Sequence, residues 1–388
     1  MDPTLFNLRH LRAVTAIVDA GSVSGGARAV NLTQPAVTQA IAKLESQVAL
    51  SLFTRGPGGM IPTEAGRILA KRSARALQFV GSGRVTSPQM RAFLALARNG
   101  SYAAAAAATS LREPSLHRAV TDLSLGIGLQ LVERRGRGIA LTARGHAIAR
   151  RFRLAHAELS SAATELEALR GREVGRIVVG AMPLCRAQLL PNSIGEFHRL
   201  YPNVDIAVVE GSHTELVGPL RDGELDVMIG ALRDHMPNDL AQQPLFVDRP
   251  VVLARANHPL ALSDRKPAAA ELAAYPWIVS PREAPLRAQW EHVFRESGLP
   301  PPRVAIECGS VIVIRQLLIQ DDYLTLLSPA QVAVELEAGW LTRVCAPPGE
   351  IKRTIGITRR VDWHPTPLQQ AFIDMVHGHA HKLGLSDD

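Results

Sequence analysis

Leu32-Thr33-Gln34-Pro35-Ala36-Val37-Thr38-Gln39-Ala40-Ile41-Ala42-Lys43-Leu44-Glu45 is the stretch on which the fold turns. Pro35 suits the first turn of a helix, where its missing N–H costs nothing. From there the spacing predicts a helix to about Val48. Val37, Ile41 and Leu44 face inward, and Thr38, Gln39, Ala42 and Lys43 face outward. Upstream, Asn31-Leu32-Thr33 is a short turn after a small-residue helix, Val23 to Val30. Before that, Leu8, Leu11, Val14, Ile17 and Val18 mark a first helix. It stops at Gly21-Ser22, a helix terminator followed by an N-cap residue. Downstream, Leu52 to Arg55 predicts a strand, Gly56-Pro57-Gly58-Gly59 a turn, and Met60-Ile61 a return strand. Three helices and a two-stranded wing form a winged helix-turn-helix, which places its last helix in a DNA major groove.

The same pattern returns 79 residues later without a gap. Arg12, Ala13 and Ala16 match Arg91, Ala92 and Ala95; Gly21-Ser22 matches Gly100-Ser101; Pro35 matches Pro114. Leu44, Leu50, Leu52 and Arg55 match Leu123, Leu129, Leu131 and Arg134, and Thr63 and Gly66 match Thr142 and Gly145. Two copies of one fold therefore occupy about 6–66 and 85–145. The Ala103–Ala108 run reads as a tightly packed second helix of the second copy.

Charge follows the duplication. Residues 1–170 carry 22 Lys+Arg against 10 Asp+Glu, a net of +12; residues 171–388 carry 21 against 26, a net of −5. A basic front joined to a mildly acidic back fits a polyanion binder fused to something else. The 388 residues allow two to four domains, and the 46% hydrophobic content supports ordinary cores. Three scattered cysteines suit a reduced compartment. There is no membrane-length apolar run, and the acid at position 2 argues against a secretory leader. A cytoplasmic location is expected.

Leu32 to Gln39, Leu44-Glu45, Leu52-Phe53-x-Arg55 and Thr63-Glu64-Ala65-Gly66 together resemble the N-terminal domain of LysR-type transcriptional regulators. The resemblance implies that Gln34, Pro35, Thr38 and Gln39 approach base edges and phosphates, and Thr33, which precedes them, is a DNA-binding candidate with them. Gln pairs bidentately with adenine, and Thr reaches bases or the thymine methyl. Arg55, beside the wing, is a candidate phosphate contact. The second copy departs from the pattern, with Arg112-Glu113-Pro114 and His117-Arg118 at the matching positions and a basic wing of Arg134, Arg135 and Arg137. Glu113 could accept from cytosine and Arg118 could read guanine. The second copy is either a reader of different specificity or a packing duplicate whose wing grips backbone. A single copy is usual for the family.

From Thr142 to about Arg170, Ile148, Phe152, Ala155, Leu159, Ala162, Leu166 and Leu169 alternate steps of four and three. Such a seam favours pairing with a second helix, and the resemblance implies dimerisation there. The Arg-rich helix from Ala65 to about Phe79 is expected to pack between the copies. Beyond Gly171, strands at 177–180, 205–209, 226–230, 251–254, 277–280, 304–307, 324–327 and 354–358 alternate with helices near 189–200, 214–221, 285–297, 311–320, 329–338 and 366–381. That alternation argues an α/β fold with mostly parallel sheets, which bind ligands at strand carboxyl ends.

Arg176 to Gly180, Leu190-Pro191, Tyr201-Pro202-x-Val204 and Gly223 to Asp226 resemble the LysR-type effector domain, which is similar to type 2 periplasmic binding proteins. It implies two lobes, two crossing strands and an effector between them. Gly230 to Asp234, Tyr275 to Ile278, Pro285-Leu286-Arg287 and Asp362-Trp363-x-Pro365-Thr366-Pro367 look like the galactose-binding-protein-regulator subgroup, which would suit a sugar-related effector. The fold class expected is multidomain α and α/β. Its parts are two tandem winged helix-turn-helix domains (1–66 and 85–145), a connecting helix (67–84), a linker or dimerisation helix (146–171) and a two-lobed effector domain (172–388). Lobe I takes about 172–247 and 350–388, and lobe II about 248–349.

Candidate effector contacts at strand ends are Met182, Pro183, Leu184, Ser212, His213, Gly230, Ser280, Arg282, Gly309, Ser310 and Ser328. Hydroxyls and helix N-terminal amides there could hold a sugar or carboxylate, and Arg282 could pair with an anion. The expected partners are double-stranded promoter DNA, a small-molecule effector and further copies of the chain as a dimer or tetramer. No cofactor, metal or membrane is expected. Enzyme motifs such as GxSxG, a Walker loop, GxGxxG and HExxH are missing. Three readings compete: a solute-binding protein, a redox sensor using Cys185 and Cys308, and an enzyme carrying DNA-binding modules. His377, His379 and His381 could place two imidazoles on one helix face.

Overall fold

The computed structural model describes residues 6–56, 59–109, 111–136, 138–349 and 351–385. Helix α1 (Leu8–Ala20) begins where the Asn7 side chain accepts the Arg9 N–H and ends at Gly21 with φ +64°. Ser22 caps α2 (Val23–Ala29), and Thr33 caps α3 (Gln34–Val48) by accepting the Ala36 N–H. Leu11, Val14, Ile17, Val37, Ile41 and Leu44 are fully or almost fully buried. The wing is an antiparallel pair, β1 (Phe53–Gly56) and β2 (Gly59–Pro62). Thr63 then caps α4 (Glu64–Val80).

The second copy repeats this as α5 (Ser87–Asn99), α6 (Tyr102–Thr109), α7 (Glu113–Ile127), β3 (Val132–Arg135) and β4 (Gly138–Leu141). One matched pair explains itself. A Cβ on Gly66 would lie 2.0 Å from the Leu52 carbonyl, and one on Gly145 would lie 2.1 Å from the Leu131 carbonyl. Both wings press a helix start against a strand start, where nothing larger than glycine fits. The alanine run behaves otherwise than expected. Ala105 is buried, but Ala103, Ala104, Ala107 and Ala108 are exposed. A methyl group is too short to fill a core, so α6 gains from alanine chiefly through helix propensity.

Helix α8 (Ala143–Leu169) follows, capped by Thr142. Its seam does not await another chain. Ile148, Phe152, Ala155, Leu159, Ala162 and Leu166 are buried in one cluster with Leu69, Ala70, Ala76 and Val80 of α4, and α4 packs along α8. The seam expected to drive dimerisation is therefore filled from within, and Leu169 alone of that series is exposed. The Arg-rich α4 lies between the copies, and Phe93 of α5 meets Phe152 edge-on at 6.1 Å.

Two five-stranded sheets make up the rest. The first runs β6 (Val204–Glu210), β5 (Gly175–Ala181), β7 (Val227–Ala231), β14 (Arg353–Arg360) and β8 (Leu240–Asp248). Strand β5 is parallel to β6 and β7, while β14 is antiparallel to β7 and β8. The second runs β11 (Val304–Glu307), β10 (Trp277–Val279), β12 (Leu324–Leu327), β9 (Val251–Arg255) and β13 (Leu341–Cys345). The chain crosses between sheets twice, from β8 to β9 and from β13 to β14. Helices α9 (Leu189–Leu200), α10 (His213–Arg221) and α15 (Pro367–Leu385) belong with the first sheet. Helices α11 (Ala269–Ala273), α12 (Pro285–Glu296), α13 (Val311–Gln320) and α14 (Ala333–Glu337) belong with the second. Among the described residues, no helix is long and apolar enough to cross a membrane.

Candidate DNA interface and effector cleft

The outward face of α3 is open. Gln34, Pro35, Thr38, Gln39, Ala42 and Lys43 are exposed, and Thr33 is held at the cap. Thr38 Oγ1 donates to the Gln34 carbonyl at 3.0 Å, leaving the threonine methyl and hydroxyl on the surface. Glu45, next to Leu44, serves the fold. Its Oε1 accepts the Leu52 N–H at 2.7 Å and ties α3 to the wing that bears exposed Arg55. The matching residue in the second copy is Ser124, whose hydroxyl donates instead to the Val120 carbonyl at 3.0 Å.

The corresponding face of α7 is equally open. Arg112, Glu113, Pro114, His117 and Arg118 are all exposed. Arg112 replaces the capping threonine and makes no side-chain cap bond. His117 stacks on Tyr102 with centroids 5.0 Å apart, which steadies it beside the helix. Arg134 and Arg135 project from β3; Arg137 lies outside the described residues.

In the two-lobed part, the candidate residues cluster at carboxyl ends of parallel strands. Met182, Pro183 and Leu184 form a single 3-10 turn (Pro183–Arg186) after β5, and Ser328 opens another (Pro329–Val332) after β12. These turns touch across the two sheets. Below them, Arg353 pairs with buried Asp248 at 2.6 Å and donates to Gln331 at 3.3 Å, joining both crossings. Ser280 lies after β10 with exposed Arg282. Gly309 and Ser310 follow β11, and the Gly309 backbone lies against Pro281. Ser212 and His213 follow β6 and open α10.

Several of these side chains are engaged within the fold. Ser328 is buried; it accepts the Ala330 N–H, and its own N–H donates to Gln331. Gly230 gives Met182 room: a Cβ there would sit 2.2 Å from Met182 Cε. Ser212 caps α10 in reciprocal bonds with Glu215. His213 differs, since its Nε2 is buried with no hydrogen-bond partner. Burial, then the Arg233 charge, lowers its pKa, so the ring is neutral near neutral pH.

Cys185 is buried, donates to the Met182 and Ile229 carbonyls, and is pushed up to about 12 by burial. A thiol held so firmly protonated is a poor nucleophile. His379 pairs with Glu196 at 2.8 Å, and no group of three potential metal ligands gathers among the described residues.

Sequence reading missed a latch between the helices and the first sheet. Arg72 of α4 is buried. It pairs with Glu158 at 3.0 Å and Glu165 at 2.5 Å on α8, and donates to the His364 carbonyl at 2.9 Å. Burial works against the Arg72 charge, but Glu165 and Glu158 more than offset it and hold its pKa above the ordinary value. Arg75 bonds the Asp362 carbonyl beside it. On the other side, Arg153 holds Asp222 at 2.6 Å and Glu224 at 3.0 Å. Nothing in the local sequence separates Arg72 from its exposed neighbours. An open cleft of about 1010 Å³ beside the latch is lined by Lys71, Glu165 and Trp363 and by none of the candidate effector residues.

Comparison with known proteins agrees with this architecture. Residues 8–67 and 88–146 each match the family described as bacterial regulatory helix-turn-helix protein, lysR family, and residues 170–381 match the LysR substrate binding domain. The chain is 32% identical to the HTH-type transcriptional regulator GalR of Pseudomonas putida over 391 residues, covering 97% of this chain and 98% of that one. It is 29% identical to the HTH-type transcriptional regulator GbpR of Azospirillum brasilense, covering 66% of this chain and 75% of that one. A solved full-length OxyR variant from Pseudomonas aeruginosa superposes with a TM-score of 0.55 at 21% identity, covering 76% of this chain and 96% of that one.

Proposed function

Because this chain belongs to the LysR family of DNA-binding transcriptional regulators, we propose that both of its winged helices contact promoter DNA and that a small hydroxyl-bearing effector controls the outcome. In this reading the effector sits between the two sheets. The observation that carries the DNA part is the pair of open helix faces, α3 with Gln34, Thr38 and Gln39 and α7 with His117 and Arg118. The observation that carries the effector part is His213 Nε2, buried and without a partner at the end of β6. Such an atom is costly until something bonds it, and a neutral imidazole suits a sugar hydroxyl better than it suits a bare carboxylate.

The protein acts in this reading by binding, in the cytoplasm where its DNA is. It works together with further copies of itself, as LysR regulators do, and candidate ligands are returned chemically unchanged.

The test uses fluorescence anisotropy on duplex DNA from the region upstream of the protein's own gene. Gln39→Ala, at an exposed position, should leave the melting temperature unchanged and weaken binding by about 5- to 150-fold. Thermal shift against sugars and sugar acids should find a stabilising ligand whose effect His213→Ala removes. Unaltered DNA affinity in Gln39→Ala, or unaltered ligand stabilisation in His213→Ala, would discard the corresponding half of the reading.

A further inference from the structure

We infer that one chain carries a complete two-fold pair of DNA readers and that it recognises an operator built of two dissimilar, inverted half-sites. This rests on the reading that both winged helices contact DNA. It goes further by assigning how they are arranged and what DNA that arrangement demands.

The contacts between the copies reveal the symmetry. Matched residues in the two copies differ by 79 in number. Leu8 and Ser87 are such a matched pair, and they bond each other: the Leu8 N–H donates to Ser87 Oγ at 2.9 Å, and Ser87 Oγ donates to the Phe6 carbonyl. A position can touch its own counterpart when it lies beside a two-fold axis. A second test uses residues away from that point. Arg72 of the first copy bonds Glu158, which is the counterpart of Phe79. With the roles of the copies exchanged, the counterpart of Arg72 is Arg151, and it should meet Phe79. Arg151 Nε donates to the Phe79 carbonyl at 2.8 Å. Contacts that survive exchange of the copies are the mark of an isologous interface. Tandem domains related by a simple translation would not return this swapped pair.

The pairing is substantial. Helices α4 and α8 are themselves counterparts, and they share one buried apolar cluster. At the other end of the pairing, Arg12 of α1 donates to the Ser82 and Val85 carbonyls between the copies. The reader pair is thus assembled within the chain and does not depend on a second chain.

The function follows from the symmetry. Helix-turn-helix readers related by a two-fold axis dock on half-sites related by the same operation, so the operator is inverted about its centre. Here the two reading faces differ. Gln34, Thr38 and Gln39 suit adenine and thymine edges. At the matching places stand Glu113, His117 and Arg118, and Arg118 suits guanine and Glu113 cytosine N4. The half-sites are therefore inverted but unequal, the second richer in G·C, and the operator is directional. That would set one orientation of the single two-lobed sensor on its promoter.

The experiment is selection of bound duplexes from a random library by the full chain. It is followed by measurement of the mass of the complex on the selected duplex. The expected result is two dissimilar half-sites in inverted orientation, one such pair for each chain in the complex. Gln39→Ala should relax one half-site and Arg118→Ala the other, each with about a 5- to 150-fold loss at its own half-site and an unchanged melting temperature. Two identical inverted half-sites filled by two chains would overturn the inference, as would a direct repeat. So would an Arg118→Ala protein that selects the wild-type sequence, and in each of these cases DNA-binding regulation itself would stand. A full chain that selects no sequence at all would remove both.

Discussion

At the residue scale, Asp226 shows how a buried charge is managed in the first sheet. Its carboxylate accepts the Val178 N–H at 2.7 Å and the Gln369 amide at 2.9 Å. Burial nevertheless pushes its pKa from 3.8 up to about 6, against the Val178 bond and the nearby charges of Arg360 and Arg176. The folded chain therefore holds this proton more tightly than the unfolded chain does. Stability from this group is fully present below the unfolded value near 3.8 and is lost as pH rises through about 6, a loss on the order of 3 kcal/mol. Denaturant titrations of the wild type and Asp226→Asn between pH 4 and 8 should show the gap between them moving in the variant's favour as pH rises. A gap that stays constant across that range would contradict the assignment. Asp226 was legible as part of the Gly223-Glu224-Leu225-Asp226 string, but its burial was not, because the groups around it come from β5, β14 and α15.

At the element scale, α4 links three parts of the molecule: its own wing, α8 and the loop before α15. Arg72→Ala would remove the cation from beside two mostly buried carboxylates, leaving Glu165 uncompensated and Glu158 with Arg75 alone. The expected cost is about 3–5 kcal/mol, measured by chemical denaturation. The triple change Arg72→Met, Glu158→Leu, Glu165→Leu should recover most of it. If the single change costs less than about 1 kcal/mol, the latch contributes little. The readers' elements were legible because cap residues, a helix-opening proline and apolar spacing lie close together in sequence. Two strands were missed. Strand β8 carries Pro244 in its middle, tolerated because β8 is a sheet edge and shifts register there. Strand β13, five residues long, is likewise an edge. Both take their conformation from a partner strand far away in the chain.

At the scale of the whole molecule, the charge division acquires a geometry. The basic half holds two winged helices on one paired-helix support, and the mildly acidic half is docked on that support through Arg72, Arg75, Arg150 and Arg153. Several front-half cations are thus committed to internal pairing rather than to DNA. DNA affinity should fall linearly on a log–log plot against salt, with a slope of roughly −0.9 per phosphate neutralised. Removing two exposed cations of the second wing, Arg134→Ala with Arg135→Ala, should flatten that slope by about 1–2, measured by anisotropy at several salt concentrations. An unchanged slope would mean that the second wing stays off the backbone.

The sequence by itself determined the repeat, the wings, the outward faces of α3 and α7 and the alternation of strands and helices. Apart from the repeat, which the match at 79 residues reveals, each depends on residues a few positions apart, where caps, periodicity and glycine turns act locally. Only the tertiary structure decided where the α8 seam finds its partner. An apolar heptad seam is equally satisfied by a helix of another chain or by α4 of its own. The choice rests on contacts far apart in the chain, from Leu8 to Ser87 and from Arg72 to Glu165. No local pattern encodes those separations. They become visible when the two copies are closed onto each other.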